Sequence, residues 1–190
     1  GSTELFASKD RDIVAGIIRT FVSETARILH GGNCSEIGIR GDCVYAVYST
    51  PTKDSMYEVF NRALYVNTLI KLLNKHYRKA RYPSIKIGIG IAASEDLVVK
   101  VGAKGTGVND RVWIGSAVPD ASNLSSLGCK RGISPIVMSN TFYINIQEQL
   151  KNELESRFMP QMSNLAGYTF YHCNLVNSSF SNWIDNYSGL

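Results

Sequence analysis

The chain has 190 residues, of which 44% are hydrophobic and 19% are charged, and its formal net charge is +4. These values are typical of one globular domain with a sizeable core, and so mild a charge gives no reason to expect nucleic-acid binding. No run of 18 apolar residues is present, so the sequence predicts no transmembrane helix. The four cysteines form no CxxC pair, which argues against a zinc site and favours reduced thiols in a cytoplasmic protein.

The first predicted elements are a helix and a β-hairpin. Apolar residues recur at helical spacing over 10–29, and a Gly-Gly pair at 31–32 ends this helix. Alternation with period 2 over 35–50 predicts two strands, with Gly41-Asp42 at the turn between them. A carboxylate on a hairpin tip suits a hard cation such as Mg²⁺, but Asp42 also fits the ordinary role of a turn residue.

The remaining elements alternate between helices and strands. They are a helix over 55–77, strands over 84–92, 96–102 and 111–114, helices over 117–127 and 139–158, and strands over 133–138 and 168–176. Gly88 and Gly90 share one strand face, which predicts that a large element packs closely there. Segment 103–110 is predicted as a flexible loop, and the tail as poorly ordered or packed through Phe180 and Trp183. This order predicts an α+β fold, a mostly antiparallel sheet flanked by helices.

The end of the second predicted helix is rich in basic residues, between positions 71 and 81. We interpret these cations as complements to the helix dipole on a solvated face. A nucleic-acid patch is the alternative, but the aromatic residues that interleave with cations in single-strand binders do not accompany them.

Three segments, in this order, resemble the class III nucleotidyl cyclase homology domain. They are the hairpin with its Gly-Asp turn, KIGIGIAASEDLVVKVG at 86–102 and DRVWIGSAVPDASNLSSLG at 110–128. The run N-D-R-V-W-I-G at 109–115 is similar, more specifically, to bacterial pyrimidine cyclases of anti-phage defence, the Pycsar type. The resemblance implies a class III cyclase-like fold with a ferredoxin-like core over residues 1–176, followed by a tail over 177–190.

The activity implied by the resemblance is conversion of UTP or CTP to the 3′,5′-cyclic monophosphate and pyrophosphate, as a signal in anti-phage defence. The implied cofactor is Mg²⁺ or Mn²⁺, with Asp42 as one of two metal-binding aspartates. The other aspartate of the family precedes a G-[F/S]-T sequence, which Gly1-Ser2-Thr3 resemble. We therefore expect this 190-residue sequence to begin just after that aspartate, to bind Mg²⁺ poorly and to be inactive, whereas a longer natural protein would have the complete metal site. The implied partners are a nucleoside triphosphate and a second copy of the chain, with active sites at the interface.

Two departures from the family pattern concern catalysis. The transition-state asparagine of the family falls on Pro119, which offers no donor, and its transition-state arginine falls on Asn123. Asn123 is the candidate catalytic residue through a hydrogen bond to the ribose, or else it is a plain surface residue. A missing cation is costly in phosphoryl transfer, and the candidate substitutes are Lys104, Arg111, Arg40 and Lys130.

The positions that read the base in purine-specific relatives fall on Gly38 and Val112. Neither residue offers the hydrogen bonds that select a purine, which agrees with a pyrimidine substrate and does not separate UTP from CTP. Arg40, Tyr45 and Arg111 are further candidate base contacts.

Two functions of other classes stay open at this point. A catalytically degenerate cyclase-fold module, which binds a nucleotide or a partner and regulates another protein, is favoured by Pro119 and Asn123. The other is a ferredoxin-like RNA-binding domain, for which the composition offers little support.

Overall fold

The structure is a computed structural model that describes residues 11–102, 109–165 and 167–187, with only the backbone of residues 109–111 and 157. The helices in this part are α1 (Arg11–Leu29), α2 (Lys53–Lys79), α3 (Ala117–Leu127), α4 (Asn140–Glu153) and α5 (Ser178–Asn186). The strands are β1 (Cys34–Arg40), β2 (Cys43–Tyr48), β3 (Ile89–Ile91), β4 (Leu97–Gly102), β5 (Asn109–Ile114), β6 (Ile136–Ser139), β7 (Gln161–Leu165) and β8 (Tyr168–Cys173).

A four-stranded sheet in the order β3-β6-β8-β7 forms the centre of the fold. β3 and β6 are parallel, and the other neighbours are antiparallel. Every residue of β6 is buried. Ile136 and Met138 pack with α2 and α4, whereas Val137 packs with Leu124 of α3. Helices therefore cover both faces of this sheet, and the predicted architecture of helices over a largely antiparallel sheet is confirmed.

Two hairpins lie outside the central sheet. β1 and β2 pair antiparallel from Cys34↔Tyr48 to Arg40↔Cys43, and this hairpin packs on α1. The two-residue turn is the predicted Gly41-Asp42, and Gly41 has the positive φ of +62° that favours glycine. β4 and β5 form the second antiparallel hairpin.

The predicted close approach at Gly88 and Gly90 is confirmed, and the element that packs there is α3. A Cβ on Gly90 would meet the backbone oxygen of Ala121 and, at 2.5 Å, the backbone nitrogen of Ser125. Glycine is required because the obstacle is helix backbone, which no rotamer change can move.

Several predicted boundaries differ from the structure. The strand predicted over 84–92 shrinks to Ile89–Ile91, because the side chain of Asn74 bonds both backbone groups of Ile85, at 2.8 and 2.9 Å. The helix predicted over 139–158 ends at Glu153, and a short 3₁₀ helix, Ser156–Phe158, follows. The loop predicted over 103–110 is wrong at its end, where Asn109 and Asp110 pair in β5; its other residues, 103–108, lie outside the described part.

Two elements were not predicted, β7 and α5. β7 is an edge strand with mostly exposed polar residues, so it lacks the apolar alternation of a strand. α5 begins where Asn177 Oδ1 accepts the Phe180 N–H at 2.9 Å. Ile184 of α5 is fully buried, and Phe180 packs on the cluster between α1 and α2. Among the described residues, no helix has both the length and the apolar content to cross a bilayer.

Candidate functional site

Asp42 lies exposed at the tip of the first hairpin. Arg40 and Cys43 pair across the ladder directly beside it. Partial burial, and secondly the Asp42 carboxylate, raises the pKa of the Cys43 thiol from its ordinary 9.0, while Arg40 opposes this. Cys43 is therefore protonated at neutral pH, and Asp42 is the charged ligand that the tip offers.

The Asp42 carboxylate is a hard oxygen donor on a rigid turn, which is the kind of ligand that Mg²⁺ and Mn²⁺ prefer. The described residues contain no group of three or more His, Cys, Asp or Glu side chains close enough to hold a metal. Asp42 thus supplies one carboxylate, and residues 11–102, 109–165 and 167–187 do not by themselves complete a metal site around it.

The structure brings two predicted base contacts together in the first hairpin. Gly38 pairs with Tyr45 across the ladder, and a Cβ on Gly38 would collide with the Tyr45 ring. The absence of a side chain at position 38 is what lets the ring lie over the strand. Tyr45 Oη donates a hydrogen bond of 3.0 Å to Oε1 of Glu36.

The same carboxylate reaches the second hairpin. Oε2 of Glu36 accepts a hydrogen bond of 2.7 Å from Nε1 of Trp113. Sequence reasoning missed both residues as members of the site. The signal for Glu36 was its position two residues before Gly38, which places both on one face of β1. Trp113 stood inside a matched motif, but nothing in the motif indicated its partner.

The other candidates of the second hairpin are placed differently. Val112 pairs with Val99 on the strand face opposite to Trp113, so its side chain points away from Glu36. Arg111 pairs with Lys100 through its backbone; its side chain, like all of Lys104, lies outside the described part.

Asn123 and Pro119 lie on α3, over the central sheet. Ser94 Oγ accepts the backbone N–H of Ala117 at 2.9 Å and so caps the start of this helix. Pro119 falls in the first turn, where its missing N–H would have no helical partner, so it does not break the helix. Buried Leu124 faces the sheet, and Asn123 beside it is exposed. Lys130, just after α3, is exposed as well.

A shallow pocket with a volume of about 10 Å³ lies between the turn at Gly32 and Asn33, the end of β2 and α2. It is smaller than the ~300–1,000 Å³ of usual ligand sites and contains none of the predicted site residues. Arg62 on its wall donates a hydrogen bond of 2.8 Å to the Ile28 carbonyl and packs over the Tyr48 ring. This pocket is therefore part of a packing contact between secondary-structure elements, and it is separate from the candidate site on the two hairpins.

Comparison with known sequences gives two curated relatives. The chain is 45% identical over 185 residues to a uridylate cyclase of Treponema porcinum, and 28% identical over 198 residues to a uridylate cyclase of Gulbenkiania mobilis. Both alignments cover 97% of this chain, which spans 63% of the first relative's length and 77% of the second's. No family model matches the chain.

Comparison with solved structures agrees on the fold. The adenylyl cyclase CyaB from P. aeruginosa matches with a TM-score of 0.72 and 20% identity, over 94% of this chain and 89% of that one. The guanylyl cyclase Cya2 matches with a TM-score of 0.68 and 16% identity, over 93% and 87%. The resemblance seen in the sequence is confirmed: the chain has the class III nucleotidyl cyclase fold and is a homologue of the uridylate cyclases.

Proposed function

We propose that this protein is a nucleotidyl cyclase that converts a pyrimidine nucleoside triphosphate to its 3′,5′-cyclic monophosphate and pyrophosphate. The observation that carries the proposal is the 45% identity to a uridylate cyclase, which favours UTP over CTP as the substrate. The first hairpin supports it, because Gly38, which the resemblance aligns with a base-reading position, has no side chain to form the hydrogen bonds that select a purine.

We place Asp42 as a ligand of Mg²⁺ or Mn²⁺. When bound, the metal would lower the pKa of the attacking 3′-hydroxyl and neutralise the leaving pyrophosphate. Asp42 has the exposure and the charge for this role. Arg40 is also exposed and lies at the end of β1, next to the turn that carries Asp42. It contributes a positive charge toward the triphosphate.

We assign Asn123 to the ribose or the reacting phosphate as a hydrogen-bond donor, with Lys130 as a candidate cation nearby in sequence. Both are exposed, and α3 is held rigidly by its close packing on Gly88 and Gly90. A rigid helix is a suitable support for a donor that must meet charge developing in the transition state.

We further propose that the protein acts as a homodimer with active sites at the interface. One face of the β4–β5 hairpin is apolar and exposed, with Leu97 63%, Ile114 54%, Val112 43% and Val101 39% exposed. A contiguous apolar face of this kind indicates an interaction surface, and a second copy of the chain can cover it symmetrically.

The proposed biological role is production of a second messenger in anti-phage defence in the cytoplasm. The N-D-R-V-W-I-G run at 109–115 supports the role in defence. The four free cysteines support the cytoplasm, because they suit a reducing compartment. We assign the cyclase domain to residues 1–176, with 177–190 as its tail.

The test is to incubate the full-length protein with each of the four nucleoside triphosphates and Mg²⁺ or Mn²⁺, and to detect cyclic products by mass spectrometry. We expect cyclic UMP as the main product. If no cyclic nucleotide forms from any substrate while UTP still binds in calorimetry, the protein is the degenerate nucleotide-binding module that Pro119 favours.

A further inference from the structure

One carboxylate joins the two hairpins of the candidate site. Glu36 is half-buried on β1 and accepts a hydrogen bond from Tyr45 Oη at 3.0 Å and another from Trp113 Nε1 at 2.7 Å. Its two oxygens each take one of these donors. Bonds from neutral donors to a charged acceptor are stronger than neutral pairs, so this is a firm link between the hairpins.

The two donors belong to different parts of the site. The Tyr45 ring lies over Gly38 in the first hairpin, at the position that the sequence aligns with base selection. Trp113 follows Val112 in the second hairpin, and its side chain leaves β5 on the face opposite to the apolar one. Glu36 therefore fixes both the tyrosine ring and the hairpin that presents the proposed dimer face.

We propose that Glu36 is a positioning residue of the base pocket. Its carboxylate holds the Tyr45 ring over Gly38 and holds the second hairpin against the first, and so shapes the pocket without being a catalytic residue. This inference rests on the proposed function and deepens it. Both oxygens already serve protein donors, which favours a positioning role over direct contact with the base.

Loss of this carboxylate would leave the Tyr45 hydroxyl and the Trp113 N–H without their shared acceptor. Both side chains are half-buried, so neither donor gains full access to water in exchange. The pocket would loosen, and binding of the nucleotide would suffer more than the chemical step. The expected signature is a rise in KM for UTP of about tenfold with a smaller change in kcat.

The experiment compares Glu36→Leu, Glu36→Gln and the control Glu148→Leu, all in a Trp183→Phe background so that Trp113 is the one tryptophan left in these 190 residues. Glu148 is exposed on α4, where its carboxylate lies 3.7 Å from Lys53, so its loss removes the same charge from another surface. Glutamine at position 36 can accept the indole N–H and donate to the Tyr45 hydroxyl, so it should restore most of the wild-type behaviour.

Two readouts are measured for each variant: Trp113 emission with iodide quenching, and KM and kcat for UTP. We expect Glu36→Leu to red-shift the emission, increase quenching and raise KM, while Glu36→Gln and Glu148→Leu stay near wild type. Unchanged emission in Glu36→Leu would overturn the link between the hairpins. A changed emission with KM no higher than in Glu148→Leu would overturn the positioning role.

If Glu36→Leu does not fold, Tyr45→Phe provides a second test, because it removes only one hydroxyl. We expect it to raise KM, and the double variant to be no worse than Glu36→Leu alone, since both changes break one unit. Additive effects would overturn the inference. If the wild type cyclises no nucleotide, the proposed function fails; the positioning role is then judged by calorimetric affinity for UTP, and equal affinities of wild type and Tyr45→Phe would reject it.

Discussion

The imidazole Nδ1 of His172 accepts a hydrogen bond of 3.1 Å from the backbone N–H of Ser134. That donor fixes the tautomer, so Nε2 carries the ring proton and faces Ser163 Oγ at 3.1 Å. The ring is buried, with 5% of its surface exposed. A second proton would have to sit on Nδ1, against the Ser134 N–H. His172 is therefore held neutral in the folded protein.

This arrangement predicts a loss of stability in acid. Burial lowers the pKa of His172 from its ordinary 6.5, so His172 binds a proton more readily in the unfolded chain than in the folded protein. The contribution of His172 to folding is then fully present above pH 6.5 and declines as the pH falls below that value. Urea unfolding at about pH 7.5 and about pH 5 should show this decline.

The matched variants for that measurement are His172→Asn and His30→Gln. Asparagine keeps an acceptor for Ser134 but does not titrate, so its stability should fall less between the two pH values. His30 is exposed just after α1, so His30→Gln is the control for replacing a histidine elsewhere in the chain. If His172→Asn lost as much stability in acid as the wild type, the pH dependence would have to come from other groups.

Gly90→Ala should destabilise the protein. The added methyl would meet the backbone of Ala121 and Ser125, which cannot rotate away, and overpacking of this kind costs about 1–3 kcal/mol. Gly16→Ala is the matched control, because a Cβ there meets nothing within 4 Å and helix α1 should gain about 0.5–1 kcal/mol. Urea denaturation measures both; equal stability of the two variants would contradict the close packing of α3.

Asp42→Asn should abolish most metal-dependent turnover without unfolding the protein. The amide keeps the shape but loses the charge that holds the cation, and loss of several kcal/mol of metal assistance corresponds to about 100-fold or more in kcat. Asp42 is exposed, so the melting temperature should not change. Asp185→Asn, which removes an exposed ion pair with Lys71, is the control and should keep wild-type activity over an Mn²⁺ titration.

Asn123→Ala separates the two interpretations of this residue. If Asn123 donates to the ribose or phosphate, kcat should fall by about 100- to 1,000-fold, as for other lost transition-state donors. Ser122→Ala, at the exposed neighbouring position, should have wild-type kinetics. Wild-type kcat in Asn123→Ala would make it a surface residue of α3.

Charges on the apolar face of the second hairpin should weaken self-association. Leu97→Asp with Ile114→Asp places two carboxylates opposite each other on the exposed face, where they would resist burial. Met162→Asp is the control, since Met162 is 67% exposed on β7, away from this face. Sedimentation equilibrium should show a weaker dimer for the double variant alone; equal dimerisation of both proteins would place the interface elsewhere.

Local patterns were sufficient to predict much of the fold. The helix predicted over 117–127 matches α3, Ala117–Leu127, and the Gly41-Asp42 turn located the first hairpin. Periodicity works here because it records which face of each element is buried. It failed for β7, an exposed edge strand with few apolar residues, and for Ile85, whose backbone bonds Asn74 instead of a strand.

The sequence by itself determined most of the elements, the turn that carries Asp42 and the resemblance to nucleotidyl cyclases, because each depends on residues near one another in the chain. The tertiary structure alone decided that Glu36 meets Trp113 and that Val112 faces the opposite way. Those relationships follow from how two hairpins pack, and packing depends on the sum of many weak contacts that no single stretch of sequence contains.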